Sequence, residues 1–236
     1  MNYAKMFTAD AVNEFLKVWA SGEFYSGIWA TIYSTFLATL LALVIGLPLG
    51  VLLVAGKEDG VLPLPKPVMA ALNAIINILR SVPFLILMIM VMPLSRLVMG
   101  TSVGTMGTIV PLVAAAFPFM ARLIESSLRE VDAGMIEAAQ SMGATPFQII
   151  WKVMIPESIP SLAGQITTAL TTILGYGAMA GAIGGDGLGK IAISYGYNRY
   201  KPLIMMVAVV LLVIIVNIIQ TVGSTIATRS DKRLRK

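Results

Sequence analysis

Cysteine and histidine are both absent from the 236 residues. Without thiols there are no disulfides and no thiolate nucleophile. Without imidazole there are no His-ligated metal sites and no His-dependent catalytic triad. Charge is scarce too, at 12% Asp, Glu, Lys and Arg, where a soluble domain carries about 25%. What fills the chain is apolar: 57% of residues are hydrophobic and the mean hydropathy is +0.86. Such a composition marks an integral membrane protein. The net charge of +5 does not point to nucleic acid, because the basic residues gather at the ends of apolar runs. Arg229, Lys232, Arg233, Arg235 and Lys236 follow the last of these runs, as a cytoplasmic flank beside anionic lipid would.

A bilayer core of about 30 Å needs about 20 apolar residues to cross it. Five segments qualify: about Trp29–Ala55, Val68–Leu94, Val103–Ile124, Leu162–Ile183 and Leu203–Ala227. The second is interrupted by Arg80 and expected to bend near Pro83, and the third contains Pro111 and Pro118. Internal prolines are tolerated where neighbouring helices re-satisfy the freed backbone groups. The first run begins after about two dozen mixed residues and is longer than the roughly 7–15 apolar residues of a leader peptide. It is therefore expected to be retained as a spanning helix.

The sequence thus predicts an all-α polytopic protein in three parts: an external or interfacial segment over residues 1–27, one transmembrane domain over 28–227, and a basic tail over 228–236. In the first part Val12, Phe15, Leu16 and Trp19 fall near helical spacing, suited to lying along an interface. Five spans put the two ends on opposite sides. With the tail inside, the inner side holds Lys57, Lys66, Arg129, Lys152 and the tail, with Arg80 and Arg122 near it. The outer side holds Lys5, Lys17, Arg96, Lys190, Arg199 and Lys201. This bias favours N-out, C-in.

Residues 129–160 form a polar interruption that this topology places in the cytoplasm. Glu137 offers an acceptor for a partner's arginine, while Ala138 and Ala139 are small helix formers that permit close approach. Gly143 allows the chain to reverse. Thr145 and Pro146 read as an N-cap with proline at the first helical position. Phe147, Ile150, Trp151 and Met154 would give the second helix an apolar stripe, ended by Pro156 and Pro160. Two short helices around a glycine elbow, held between spans, could pass a push from a soluble partner. An ordinary amphipathic loop lying on the membrane is the competing reading.

The stretch Glu137-Ala138-Ala139, Gly143, Val153, Ile155 and Pro156 resembles the EAA loop of ABC-importer permeases, patterned EAA-x3-G-x9-I-x-L-P. Val153 and Ile155 replace the family's Ile and Leu with side chains of like size and polarity. The resemblance continues through Asn77-Ile-Leu-Arg80-Ser81-Val-Pro83-Phe84, through Gly143-Ala144-Thr145-Pro146, and through Gly175-Tyr176-Gly177-Ala178-Met179 with Gly187-Leu188-Gly189. This second set is similar to the methionine-uptake branch of the superfamily and covers nearly all of the chain after about residue 25. The resemblance implies a type I importer fold in the bacterial inner membrane and a homodimer enclosing the pathway. It also implies two cytosolic ATPase copies that carry the ATP and Mg, and a solute-binding protein or lipoprotein outside. The chain itself would hold no cofactor and no metal. Glu137, Ala138, Ala139, Gly143, Ala144, Thr145, Pro146, Phe147 and Pro156 would then contact the ATPase.

Gly184-Gly185-Asp186-Gly187-Leu188-Gly189-Lys190 satisfies the first part of a phosphate-binding loop, but Ile191 stands where Ser or Thr is required and no strand precedes it. It reads as an external turn, and the energy source lies elsewhere. Gly46/Gly50 and Gly177/Gly181 are small-xxx-small pairs suited to close helix packing. Thr167, Thr168, Thr171 and Thr172 make the fourth span the candidate pathway lining, with Tyr176 and Met179 as candidate gate residues. A polarizable methionine suits a thioether cargo. Asn73, Asn77, Asn217 and Gln220 are read as glue between helices.

The expected function is therefore inward transport of an amino acid, D- or L-methionine, by a non-enzymatic subunit. The alternatives are another amino acid or small solute, a membrane-embedded enzyme, or an ion-coupled carrier. The enzyme lacks an acid/base constellation, and the carrier lacks an unpaired mid-span carboxylate.

Overall fold

The computed structural model describes residues 8–231, so Lys5 and the tail residues Lys232, Arg233, Arg235 and Lys236 lie outside it. Every regular element among the described residues is helical. Helix α1 (Ala9–Ala20) ends at Ser21 and Gly22, and α2 (Glu23–Ala55), 33 residues long, contains the first expected span. Then come α3 (Lys66–Ser81), α4 (Phe84–Met99) and α5 (Gly104–Arg129). The polar interruption forms α6 (Ala133–Ser141), α7 (Pro146–Ile149), a π-helical turn over Ile150–Met154, and α8 (Ile155–Glu157). The chain finishes with α9 (Ile159–Ala180), α10 (Leu188–Ile191) and α11 (Pro202–Ser230).

Among the described residues, four helices are long and apolar enough to cross a membrane: α2, α5, α9 with its 3-10 extension to Ile183, and α11. The second expected span is not one helix. It is the pair α3 and α4, turned by 108° at their junction. The cause is Pro83, which forces the preceding Val82 out of the helical region to ψ 127°. Each half has 16 residues, or roughly 24 Å at about 1.5 Å per residue, too short to cross alone. Pro111 and Pro118, by contrast, sit inside the unbroken α5.

Contacts divide the chain into two compact bodies, and the division runs through α2, α5, α9 and α11. One comprises Met1–Thr39, Phe84–Ala114 and Leu170–Ile219. Its core joins Phe24, Leu188, Ile191, Ile204 and Ala208, with Phe15, Val18 and Trp19 of α1 packed against it. The rings of Phe15 and Trp19 lie 5.9 and 5.3 Å from that of Phe24. Helix α1 thus docks on protein along one side, while Val12 and Leu16 remain exposed.

The other body comprises Leu40–Pro83, Ala115–Ala169 and Gln220–Lys236. Its main cluster gathers Met120, Ile124 and Leu128 of α5 around Ala139, Ile149, Ile150 and Met154. A smaller one joins Leu53 of α2, Ile76 of α3 and Ala121 of α5. Gly46 and Gly50 let α2 lie directly on α5, where an added Cβ would fall 2.9 Å and 2.7 Å from side-chain carbons of Met120 and Ile124. The second small-residue pair behaves differently. A Cβ on Gly181 would come within 2.3 Å of the Lys190 backbone nitrogen, whereas one on Gly177 would meet nothing within 4 Å.

Candidate functional site

The interruption folds as two capped helices around an elbow. Asp132 is the N-cap of α6, its carboxylate accepting the Gly134 N–H at 2.7 Å. At the other end Gly143 adopts φ 79°. The N–H groups of Gly143 and Ala144 bond back to the carbonyls of Gln140 and Ala139 at 2.9 and 3.1 Å, which closes a Schellman motif. A Cβ on Gly143 would meet nothing within 4 Å, so glycine serves here for its left-handed backbone, not for space. Thr145 caps α7 as expected, and the cap is reciprocal. The Thr145 hydroxyl accepts the Gln148 N–H at 3.3 Å, while the Gln148 side-chain carbonyl accepts the Thr145 N–H at 2.9 Å.

The inner face of this segment is Ala139, Ile149, Ile150 and Met154, all buried against α5. The outer face is Glu137, Ala138, Met142, Phe147 and Trp151, with Met142 80% and Phe147 69% exposed. Of the expected apolar stripe, then, Ile150 and Met154 face inward, while Phe147 and Trp151 pair with each other outside at 6.0 Å. Ile149, outside the expected stripe, joins Ile150 and Met154 on the inner side. The π turn over Ile150–Met154 takes up an extra residue and so turns less per residue than an α-helix, which brings Ile149, Ile150 and Met154 to one side. Pro156 and Pro160 do not end the second helix. They occupy the first turns of α8 and α9, and the break falls between them at Ser158. Glu137 makes no ion pair or hydrogen bond among the described residues.

Along α9, Thr172, Tyr176 and Met179 follow one another at helical spacing. Tyr176 stacks flat on Phe84, with centroids 4.5 Å apart and planes 6° off parallel, and Met179 is half exposed. Thr167 and Thr168 donate to the carbonyls of Ala163 and Gly164 in their own helix. Their hydroxyls are therefore partly spent on the backbone.

Two constellations escaped the sequence reading. In the first, Arg122 donates to Glu125 of its own helix at 2.7 Å and to the side-chain carbonyls of Asn73 and Asn77 of α3 at 2.9 and 2.8 Å. Arg129 also donates to Glu125. In the second, Asp186 accepts the N–H and hydroxyl of Thr105 at 2.9 and 3.2 Å and the Lys190 ammonium at 2.8 Å. It thereby caps the start of α5 from a distance. Burial raises the Asp186 pKa, but the Lys190 charge and the Thr105 donors outweigh it and hold the carboxyl below its ordinary value. The Leu188 N–H is taken by Thr31 at 2.9 Å, so the glycine-rich loop is a structural joint with no phosphate cradle at that nitrogen.

Beside that joint lies an open cavity of about 800 Å³ bordered by Glu23, Trp29, Tyr33, Asp186, Lys190 and Arg199. Its charges largely answer one another. Glu23 accepts the Tyr195 hydroxyl at 2.8 Å, and Arg199 lies 4.5 Å over the Tyr195 ring. Burial and the Glu23 carboxylate push the Tyr195 phenol above its ordinary value.

Comparison with known proteins places this geometry. The family of binding-protein-dependent transport system inner membrane components matches residues 46–236. A probable D-methionine transport system permease protein, MetI, of Vibrio cholerae is 49% identical over 184 residues, covering 78% of this chain and 81% of that protein. The methionine import system permease protein MetP of Bacillus subtilis is 44% identical over 168 residues, covering 71% and 76%. An inward-facing structure of the MetNI methionine ABC transporter superposes with a TM-score of 0.88 at 42% identity, over 90% of this chain and 98% of that one. A structure of an amino acid ABC transporter superposes at 0.74 with 21% identity, a likeness of fold alone. The all-helical architecture expected of a type I importer permease is thus the one observed. This chain belongs to the binding-protein-dependent transport system inner membrane components, the permease subunits of ABC importers.

Proposed function

We propose that the chain forms, with a second copy of itself, the translocation pathway of an ATP-driven importer for methionine. Two copies of a cytosolic ATPase bind and hydrolyse ATP with Mg, and a solute-binding protein or lipoprotein delivers cargo from outside. The chain carries no cofactor of its own. The methionine assignment draws on relatives named for methionine transport at 44–49% identity. In the N-out, C-in orientation, residues 129–160 face the cytoplasm and residues 184–190 the exterior. The three-part division into residues 1–27, 28–227 and 228–236 belongs to the same proposal.

The observation that carries the coupling role is the two-sided build of α6 and α7. Their inner side chains are fixed to α5, while Glu137, Ala138, Met142, Phe147 and Trp151 present an apolar outer face with one carboxylate. An aromatic pair beside an acid suits a groove on a protein partner, where aromatic anchors carry most of the binding energy. Glu137 supplies the directional contact, and Ala138, Ala139, Gly143, Ala144, Thr145, Pro146 and Pro156 set the shape. A displacement of this face moves α5, and the bundle alternates between two access states. On α9, Thr172, Tyr176 and Met179 line or gate the path, with Met179 offering a soft contact to a thioether.

Reversing the charge with Glu137→Lys should weaken ATPase binding in detergent at least about tenfold, as losing a charge-assisted contact does. Unchanged affinity removes Glu137 from the contact. Single cysteines at Met142 and Tyr197, both strongly exposed, should react with impermeant reagents from opposite sides of sealed vesicles. Labelling from one side contradicts the topology.

A further inference from the structure

Helix α5 carries two working faces near its C-terminal end. Met120, Ile124 and Leu128 form an apolar face packed on the coupling helices. Arg122, Glu125 and Arg129 form a second face, roughly 130° around the helix at about 100° per residue. Glu125 is nearly sealed, with its side chain 6% exposed, and Arg122 is 18% exposed. Asparagines one turn apart, Asn73 and Asn77, reach this face from α3. The Asn73 side-chain nitrogen donates to the Met69 carbonyl at 2.8 Å, which fixes its oxygen toward Arg122. One planar guanidinium therefore holds a carboxylate on one nitrogen and two amide oxygens on the other, a fork whose spread a lysine's single ammonium nitrogen does not match.

Stability alone is a weak reason for such a cluster. A buried ion pair is often replaced by apolar residues at no loss, and its better-attested use is to specify one arrangement. In the small cluster that holds Ile76, the residue from α5 is Ala121, a side chain too small to lock the two helices by shape. Within a bilayer such packing also lacks a hydrophobic drive to fix register. Helix α3 ends at Ser81, and three residues later Phe84 lies flat on Tyr176.

We infer that Arg122, Glu125, Asn73 and Asn77 are a positioning network that makes α3 move with α5 when the coupling segment is displaced. The push then reaches the Pro83 elbow and Phe84 instead of being lost as slippage between the two helices. This rests on the reading of α6 and α7 as the coupling segment.

The test is the full complex, permease with its ATPase and binding protein, in proteoliposomes, read as methionine accumulated per ATP hydrolysed. Arg122→Lys keeps the charge beside Glu125 but loses the fork; Asn73→Leu with Asn77→Leu keeps the ion pair and removes the bridge. Both should hydrolyse ATP within about twofold of the parent while uptake per ATP falls at least about fivefold, the range of energetic coupling between sites. Asn77→Asp, which keeps the acceptor, should retain the parent ratio. A ratio unchanged in both disrupted variants overturns the inference, including the case where uptake and hydrolysis fall together. If Arg122→Lys does not assemble, the asparagine pair decides alone. Failure of the coupling-segment reading has a different signature: Glu137→Lys would then leave ATPase binding intact, whatever the Arg122 ratio.

Discussion

Replacing Thr145 by alanine removes one half of the reciprocal cap that starts α7. The hydroxyl accepts the Gln148 N–H at 3.3 Å, a long contact, while the return bond from the Thr145 N–H to Gln148 is 2.9 Å. Loss of a Thr cap costs about 0.5–2 kcal/mol. Three features put this site toward the lower half of that range. The lost bond is the longer one, the freed N–H is open to water, and Pro146 already fixes the first helical φ. A cost of about 1 kcal/mol raises the local opening constant about fivefold. Hydrogen exchange at the Gln148 and Ile149 amides reads this directly, since the Ile149 N–H bonds to the Thr145 carbonyl at 2.9 Å. Thr145→Ala should speed both amides about threefold to fivefold, and Thr145→Ser should stay near the parent. Gln148→Ala, which removes the shorter bond, should cost at least as much. Equal exchange in Thr145→Ala and the parent refutes the reasoning, as does a Thr145→Ser variant as fast as Thr145→Ala.

Gly50→Ala would set a methyl 2.7 Å from Cβ and Cγ2 of Ile124 and 2.8 Å from the Ala121 carbonyl oxygen. None of these can swing away, so overpacking of about 1–3 kcal/mol should lower the thermal midpoint in detergent; an unchanged midpoint contradicts the close packing of α2 on α5. At Asp186 the folded carboxyl is more acidic than the unfolded one. Its contribution to stability is therefore complete above about pH 4 and disappears as the pH falls through the lower folded value. The gap in thermal midpoint between parent and Asp186→Asn should be constant from pH 7 to pH 5 and close below about pH 4. A gap independent of pH down to about 3 would rule out the charged contact with Lys190 as its source.

Much of the fold was legible in one dimension because lipid imposes it locally. Uninterrupted apolar runs gave the helices that contain the spans, and Thr145-Pro146 announced a helix start within the polar interruption. The reversal at Gly143 was legible, but its basis is the positive backbone angle, since no neighbour would obstruct a side chain there. What escaped depends on which faces meet. Arg122 and Asn77 are far apart along the chain, and neither residue signals the other until α3 and α5 are laid together. Helical spacing puts Phe147, Ile150, Trp151 and Met154 on one stripe only in a regular helix; the chain departs from that regularity at the π turn, and Phe147 and Trp151 part from Ile150 and Met154. A pair of glycines likewise announces a possible close approach without naming the member that uses it, so Gly181 meets a backbone and Gly177 does not. The bend at Pro83 was visible, but not that it separates two half-length helices.

The central claim is that this chain moves methionine only when a separate ATPase drives it. The direct measurement is uptake of labelled methionine into proteoliposomes holding the chain with or without the ATPase, with binding protein outside and ATP inside. Accumulation should require both the ATPase and ATP, and unlabelled methionine should compete where unrelated amino acids do not. Accumulation by the chain alone on an ion gradient would contradict the account. Accumulation of another solute with no competition by methionine would contradict the cargo while leaving the ATP-driven mechanism in place.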